Sequence, residues 1–195
     1  SGWKSRSVKD ELRDNLIAAI KNGSSPFVGI VGYEKTVIPQ IENAILSKHN
    51  FILLGMRGQA KSRIVRLLGA LLDERMPIIP GTQLNEDPLN PVSPKGKQMV
   101  ESQGDKMPIE WITREQRYHE KLATPDVSIA DLIGDIDPIK AAREKLDISN
   151  EEVIHWGIIP RTNRGIFAIN ELPDLQPRIQ VGLLNILEEN DIQVR

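Results

Sequence analysis

The sequence predicts an α/β fold with three layers, a parallel sheet flanked by helices. Three observations carry this. Two short runs, Phe51-Ile52-Leu53-Leu54 and Ile166-Phe167-Ala168-Ile169, are apolar with no polar alternation. That is the pattern of strands buried on both faces. Each run passes into a loop and then into a stretch with helical periodicity. Finally, a chain of 195 residues can bury about two thirds of its unfolded surface, so it needs no metal or disulfide staple.

The elements follow in order. Val8, Leu12, Leu16 and Ile20 recur every four residues, which predicts an amphipathic helix over 8–21. Asn22-Gly23-Ser24-Ser25-Pro26 stops it. After Phe27-Val28-Gly29-Ile30-Val31-Gly32, a second helix is expected between Tyr33 and Ser47, beginning or kinking at Pro39. Phe51–Leu54 is the first expected buried strand. A helix follows to about Glu74, carried by Ile64, Val65, Leu67, Leu68, Leu71 and Leu72. From 77 to 108 the texture changes: six of 13 prolines fall there, and beyond a possible strand at 76–79 it reads as a long irregular excursion. The pattern over 109–122 does not choose between helix and strand. Residues 129–146 read as polar helix around a turn at Gly134-Asp135, with a helix start at Asp137-Pro138. Gly165–Ile169 is the second expected strand, 175–189 an amphipathic helix, and 191–195 the start of a further strand.

Composition narrows the function. The chain has no cysteine, which excludes a disulfide scaffold, a thiolate zinc site and a thiol nucleophile, and suits a reducing cytoplasm. With 25 basic and 27 acidic residues the net charge is -2, which argues against nucleic acid or an anionic membrane as partner. No apolar run approaches a membrane span. His49, His119 and His155 show no metal-ligand spacing and read as surface or packing residues. Trp3, Trp111 and Trp156 are isolated and are expected to pack. Lys95, Lys97 and Lys106 read as a solvated loop or as a contact surface for a partner.

The chemistry concentrates in Gly55-Met56-Arg57-Gly58-Gln59-Ala60-Lys61-Ser62, which nearly fits G-x-x-x-x-G-K-[ST]. Phosphate oxygens need several backbone N–H groups aimed inward, and a tight loop at a helix start supplies them. Lys61 would reach the terminal phosphates, and Ser62 would offer its hydroxyl to Mg²⁺. Ala60 stands where the pattern wants a second glycine. The plainer reading is a lysine-capped loop of an ordinary α/β domain. A third reading is an RNA-clamping G-x-x-G loop from Gly55 to Gly58, which should join two helices rather than follow a strand.

A phosphate loop of this kind needs a second strand that ends in a metal-side group and a group that orients water. Ile166–Ile169 followed by Asn170-Glu171 has that form. Glu171 is the candidate base. Asn170 occupies the place usual for aspartate, can accept from a metal-bound water, and brings no charge. Slow hydrolysis is the expectation. The plainer alternative is a strand that ends in a helix cap at Asn170 or Asp174.

The two motifs and their surroundings resemble the AAA+ ATPases of the MoxR and magnesium-chelatase I-subunit group. Residues 27–34 are similar to the segment before the first helix of such modules, and the loop 55–62 to the MoxR form, alanine included. Arg164–Glu171 resembles the second acidic motif apart from Asn170. Residues 171–189 resemble the helix after that motif, and 124–142 the insert before it, leaning toward the chelatase side. The resemblance runs from about 8 to 195 and matches nothing between 77 and 123.

It implies a P-loop module over 8–195, with a tail or cloning remnant at 1–7 and a Pro/Gly-rich insert at 77–123. The sensor strand, arginine finger and helical lid of the family have no counterpart in this sequence. Exposed strand edges and a tendency to associate are therefore expected. The implied ligands are ATP and Mg²⁺. Val31 and Gly32 would border the base. Arg57, Gly58, Gln59, Ala60, Lys61, Ser62 and Arg63 would surround the phosphates. Glu171 and Lys61 would act in hydrolysis, and Ser62 and Asn170 would face the metal. Family members form homo-oligomeric rings, usually hexamers, and act on a partner protein or drive metal insertion. The alternative from another class is a nucleotide-gated interaction module without turnover.

Overall fold

The computed structural model describes residues 3–147 and 150–189. The elements in chain order are α1 (Val8–Lys21), α2 (Val37–Leu46), α3 (Lys61–Leu67), β1 (Arg75–Ile78), α4 (Pro94–Gln103), β2 (Glu110–Thr113) and β3 (Tyr118–Leu122). They continue with α5 (Ile129–Leu132), β4 (Gly134–Ile136), α6 (Pro138–Glu144), β5 (Ile154–Trp156), α7 (Ile158–Arg161), β6 (Ile166–Asn170) and α8 (Pro177–Glu189). The fold is mixed α/β. The described strands form three separate pairs, β1 with β2, β3 with β6 and β4 with β5, rather than one continuous sheet. Among the described residues, no helix is long and apolar enough to cross a membrane.

The chain divides into two compact units: Ser1–Met76 with Trp111–Tyr118 and Arg164–Ala168, and Pro77–Glu110 with His119–Asn163 and Ile169–Arg195. In the first unit, α1 has the predicted bounds. Ser7 caps it, its hydroxyl accepting from the Asp10 N–H at 3.1 Å, and Asp10 and Glu11 favour the positive end of the helix. α2 starts at Val37, so Pro39 lies in the first turn, where a missing N–H costs nothing and no kink is needed. Leu16, Phe27, Ile30, Ile38, Ile41, Ile45, Ile64, Leu68 and Leu71 form one aliphatic core.

Two expectations in this unit need correction. α3 ends at Leu67 and tightens into a 3₁₀ turn over Leu68–Leu71, short of Glu74. Phe51–Leu54 forms no strand, and no described strand pairs with it. Phe51 and Leu53 pack on the core, while Ile52 is 53% and Leu54 91% exposed. Burial alternates along the segment, with Phe51 and Leu53 half-buried and Ile52 and Leu54 exposed. A bare apolar run did not distinguish this from a strand buried on both faces.

In the second unit the 77–108 stretch is organised rather than irregular. Glu86 is fully buried and accepts from the N–H groups of Val92 and Ser93 at 2.9 and 3.0 Å and from the Ser93 hydroxyl at 2.5 Å. Ser93 in turn caps α4. The ambiguous 109–122 stretch yields the strands β2 and β3. Gly134-Asp135 is not a turn: it opens β4, which pairs antiparallel with β5 in the register Gly134↔Trp156, Asp135↔His155, Ile136↔Ile154. Gly134 has φ +129°, and a Cβ there would meet the His155 carbonyl oxygen at 2.6 Å. Asp137 starts α6 as expected, accepting from the N–H groups of Ile139 and Lys140. α8 buries Ile179 and Leu183 and leaves Leu184 and Leu187 partly exposed. The strand expected at 191–195 lies outside the described residues, as do Ser1 and Gly2.

Candidate functional site

The loop before α3 is built by two residues with left-handed backbone. Gly58 has φ +83°, and Ala60, the residue before the helix, has φ 57° and ψ 13°. The left-handed region is where glycine costs least and a Cβ costs about 1–2 kcal/mol. This explains the preference for glycine at position 60 and shows that alanine adopts the same turn. The Ala60 methyl packs against the core, which offsets part of the cost. The Lys61 ammonium folds back over the loop and donates to the carbonyls of Gly55 and Met56, both at 2.7 Å. The side chain therefore lies along the inner edge of the loop.

The Phe27–Gly32 segment meets this loop. A Cβ at Gly29, where φ is +76°, would meet the Arg63 guanidinium at 2.6 Å, so glycine lets Arg63 lie over the segment. Gly32 has φ +89°, and its N–H is held by the Glu34 carboxylate at 2.9 and 3.1 Å. Val31 is 83% exposed. A small hollow of about 50 Å³ is lined by Tyr33, Val37, Leu53, Leu54, Gln59, Lys61 and Ile64. Its volume suits a water or two rather than a nucleoside, since sites for small molecules span roughly 300–1,000 Å³. Tyr33 and Val37 carried no signal in the sequence beyond their helical spacing. The G-x-x-G stretch Gly55–Gly58 lies between α2 and α3 with no strand before it, so the expectation that it follows a strand is not met.

Lys61 and Ser62 belong to the first unit, Asn170 and Glu171 to the second. At the end of β6, the Asn170 carbonyl accepts from the Ala123 N–H at 2.9 Å. Its side-chain amide donates to Oε1 of Glu120 on β3. Glu120 was missed in the sequence, because nothing in a run such as Tyr118-His119-Glu120 marks one carboxylate as facing a residue 50 positions away. Glu171 is exposed, with left-handed backbone at φ 56°, and precedes a 3₁₀ turn at Leu172–Asp174. Neither Asn170 nor Asp174 therefore caps a following α-helix.

Other polar groups are committed to structure. Arg117, 1% exposed, donates to both Glu11 carboxylate oxygens at 2.7 and 2.6 Å and to the Arg164 carbonyl. Trp3 stacks on the Arg164 guanidinium at 5.1 Å. A larger hollow of about 410 Å³ lies between α1 and the Leu71–Glu74 stretch. Its carboxylate Asp73 already holds Arg6 at 2.8 Å and Asn15 at 2.9 Å. Burial works against the ionised form of Asp73, but these donors outweigh it and keep its pKa below the usual value. The His119 imidazole is held below its usual pKa by burial and by Arg161. Among the described residues there is no cluster of three or more His, Cys, Asp or Glu able to hold a metal. No family model and no solved structure matches the chain.

Proposed function

We propose that the chain binds a nucleoside triphosphate with Mg²⁺ through the loop Gly55–Ser62, as a P-loop module of AAA+ type related to the MoxR and magnesium-chelatase group. The observation that carries this reading is the loop itself. A left-handed Gly58 and Ala60 turn the backbone into α3, and the Lys61 ammonium lies against the loop carbonyls, where a triphosphate can draw it away. Arg63, Tyr33 and Val37 bring the segment around Val31 and Gly32 to the same loop. Ser62 offers Mg²⁺ a neutral oxygen donor, which suits an ion that keeps its waters and is held mainly by phosphate, so a cluster of three acidic or His ligands is not required. The sequence motif assigns Asn170 as the second neutral donor. Glu171 is the water-positioning carboxylate. In this reading the chain works as a subunit of a homo-oligomeric ring in the cytoplasm, and remodels a protein partner or drives metal insertion.

The test is equilibrium binding of a fluorescent ATP analogue, read by anisotropy. Lys61→Ala should weaken it about 10- to 100-fold, the value of one charge-assisted hydrogen bond, with unchanged circular dichroism. Equal affinity in the variant, or no binding at millimolar nucleotide, removes the reading. One observation favours a second reading, a nucleotide-gated module without turnover: Asn170 lacks the charge of an aspartate and engages Glu120. Nucleotide binding with no steady-state hydrolysis selects it.

A further inference from the structure

We infer that the hollow of about 410 Å³ beside α1 is a binding site for a small zwitterion, a free α-amino acid with an apolar side chain. Its lining residues all belong to the first unit and none to the loop 55–62, so it stands apart from the nucleotide reading. The volume lies within the roughly 300–1,000 Å³ of sites for small molecules. The room comes from small side chains: Ala18 and Ala19 on α1, and Ala70 on the 3₁₀ turn after α3. The walls are pinned by hydrogen bonds. The Ala19 carbonyl accepts from the N–H and the hydroxyl of Ser24 at 2.9 and 3.0 Å, which fixes the loop after α1. The Asp73 N–H donates to Glu11 at 2.6 Å, and the Arg114 carbonyl accepts from the Arg117 N–H at 3.1 Å. Both of these walls are therefore tied to the buried Glu11–Arg117 pair.

Two charges of opposite sign in this hollow are uncommitted. Among the described residues, the half-buried Arg114 makes no hydrogen bond or ion pair through its guanidinium. The exposed Glu74 makes none through its carboxylate, and the two do not pair with each other. The remaining polar groups divide between spent and available. Asp73 is spent on Arg6 at 2.8 Å and Asn15 at 2.9 Å, so the two acidic residues do not make a cation site. Asn15 gives its amide hydrogens to the Leu71 carbonyl at 2.8 Å and to Asp73, and so presents only its oxygen. The Ser25 hydroxyl accepts from the Phe27 N–H at 3.2 Å and keeps its own proton to donate. Arg114 and Ser25 are thus the donors, Glu74 and Asn15 the acceptors. A lone anion would leave Glu74 unanswered, and a lone cation would leave Arg114 so. A molecule that carries both charges complements both. A carboxylate matches the planar guanidinium fork, and an ammonium matches Glu74 and the Asn15 oxygen. The surfaces of Ala18, Ala70 and Pro26 are left for an apolar side chain.

The probe is L-leucine, titrated into the isotope-labelled chain and read by amide chemical shifts. Two controls each lack one charge: isoamylamine has no carboxylate, and isocaproate has no ammonium. L-leucine should give saturable shifts at Ser24, Ser25, Glu74 and Arg114 in the millimolar range. Each control should bind about tenfold more weakly, the value of one charge-assisted hydrogen bond. Arg114→Gln should weaken L-leucine about tenfold and leave isoamylamine within about twofold. Glu74→Gln should weaken L-leucine as much and leave isocaproate within about twofold. Ala18→Leu, at an exposed helix position that tolerates the change, fills the hollow and should abolish the shifts for all three probes. No saturable shift with millimolar L-leucine overturns the inference. So does equal affinity for L-leucine and either control, which removes the zwitterion. So does wild-type binding in Ala18→Leu, which places the probe elsewhere, or an equal loss of all three probes in Arg114→Gln, which marks a structural role.

Discussion

Glu11 and Arg117 are 106 positions apart and form a buried ion pair in the first unit, with side chains 6% and 1% exposed. Glu11 also accepts from the Asp73 N–H at 2.6 Å, and Arg117 donates twice to the Arg164 carbonyl at 3.0 and 2.7 Å. Each charge therefore has its polar partners, the condition under which a buried pair is tolerated. Removing one member strands the other. Arg117→Met should cost about 3–5 kcal/mol, a large part of the ordinary stability of a domain. Replacing both, Glu11→Leu with Arg117→Met, should cost less than the sum of the two single changes, because no lone charge remains. Urea denaturation of the three variants measures this. A loss under about 1 kcal/mol in Arg117→Met would show that the pair does not hold the unit together. Nothing in the sequence flagged these residues. Glu11 lies in the first turn of α1, where an acidic residue is expected for the helix dipole alone, and Arg117 lies in a stretch whose pattern does not choose between helix and strand.

At the scale of elements, legibility followed local chemistry. α1, α2, the start of α6 and the strand β6 were readable, because a cap, a proline or an apolar run acts within one or two turns. α4 was not. Its stretch is rich in proline and lysine, and its order comes from Glu86, which reaches forward to Val92 and Ser93. The helix starts where a buried carboxylate satisfies N–H groups that would otherwise be orphaned, at the end where negative charge is favourable. Gly96 belongs to the same device: a Cβ there would meet the Glu86 carboxyl carbon at 2.9 Å. Glu86→Ala would leave those part-buried donors without their acceptor, at a total of about 1–3 kcal/mol. Amide hydrogen exchange should show lost protection at Val92, Ser93 and through α4, with α1 protection unchanged. Full protection of α4 in the variant would assign its order to something other than Glu86. The turn expected at Gly134-Asp135 failed for a related reason. Glycine signals a turn in isolation, but here it is the residue that lets β4 approach β5 closely.

At the scale of the whole molecule, the α/β class was legible and the sheet was not. Strand pairing depends on residues far apart in the chain, and an apolar run carries no record of its partner. Phe51–Leu54 shows the consequence. Its alternate residues Phe51 and Leu53 pack on the core, and no described strand forms a ladder with it. Leu54 at 91% exposed is followed by Met56 at 77%. An exposed apolar segment outside any sheet invites contact with another chain, and a charge on it is the ordinary defence. Leu54→Lys should therefore lower self-association, read by sedimentation velocity over a concentration series. Its melting temperature should stay nearly unchanged, because a side chain this exposed contributes within about 0.5 kcal/mol to folding. A wild-type chain that remains monomeric at high concentration, or a variant that associates equally, would show that this segment is not the adhesive one.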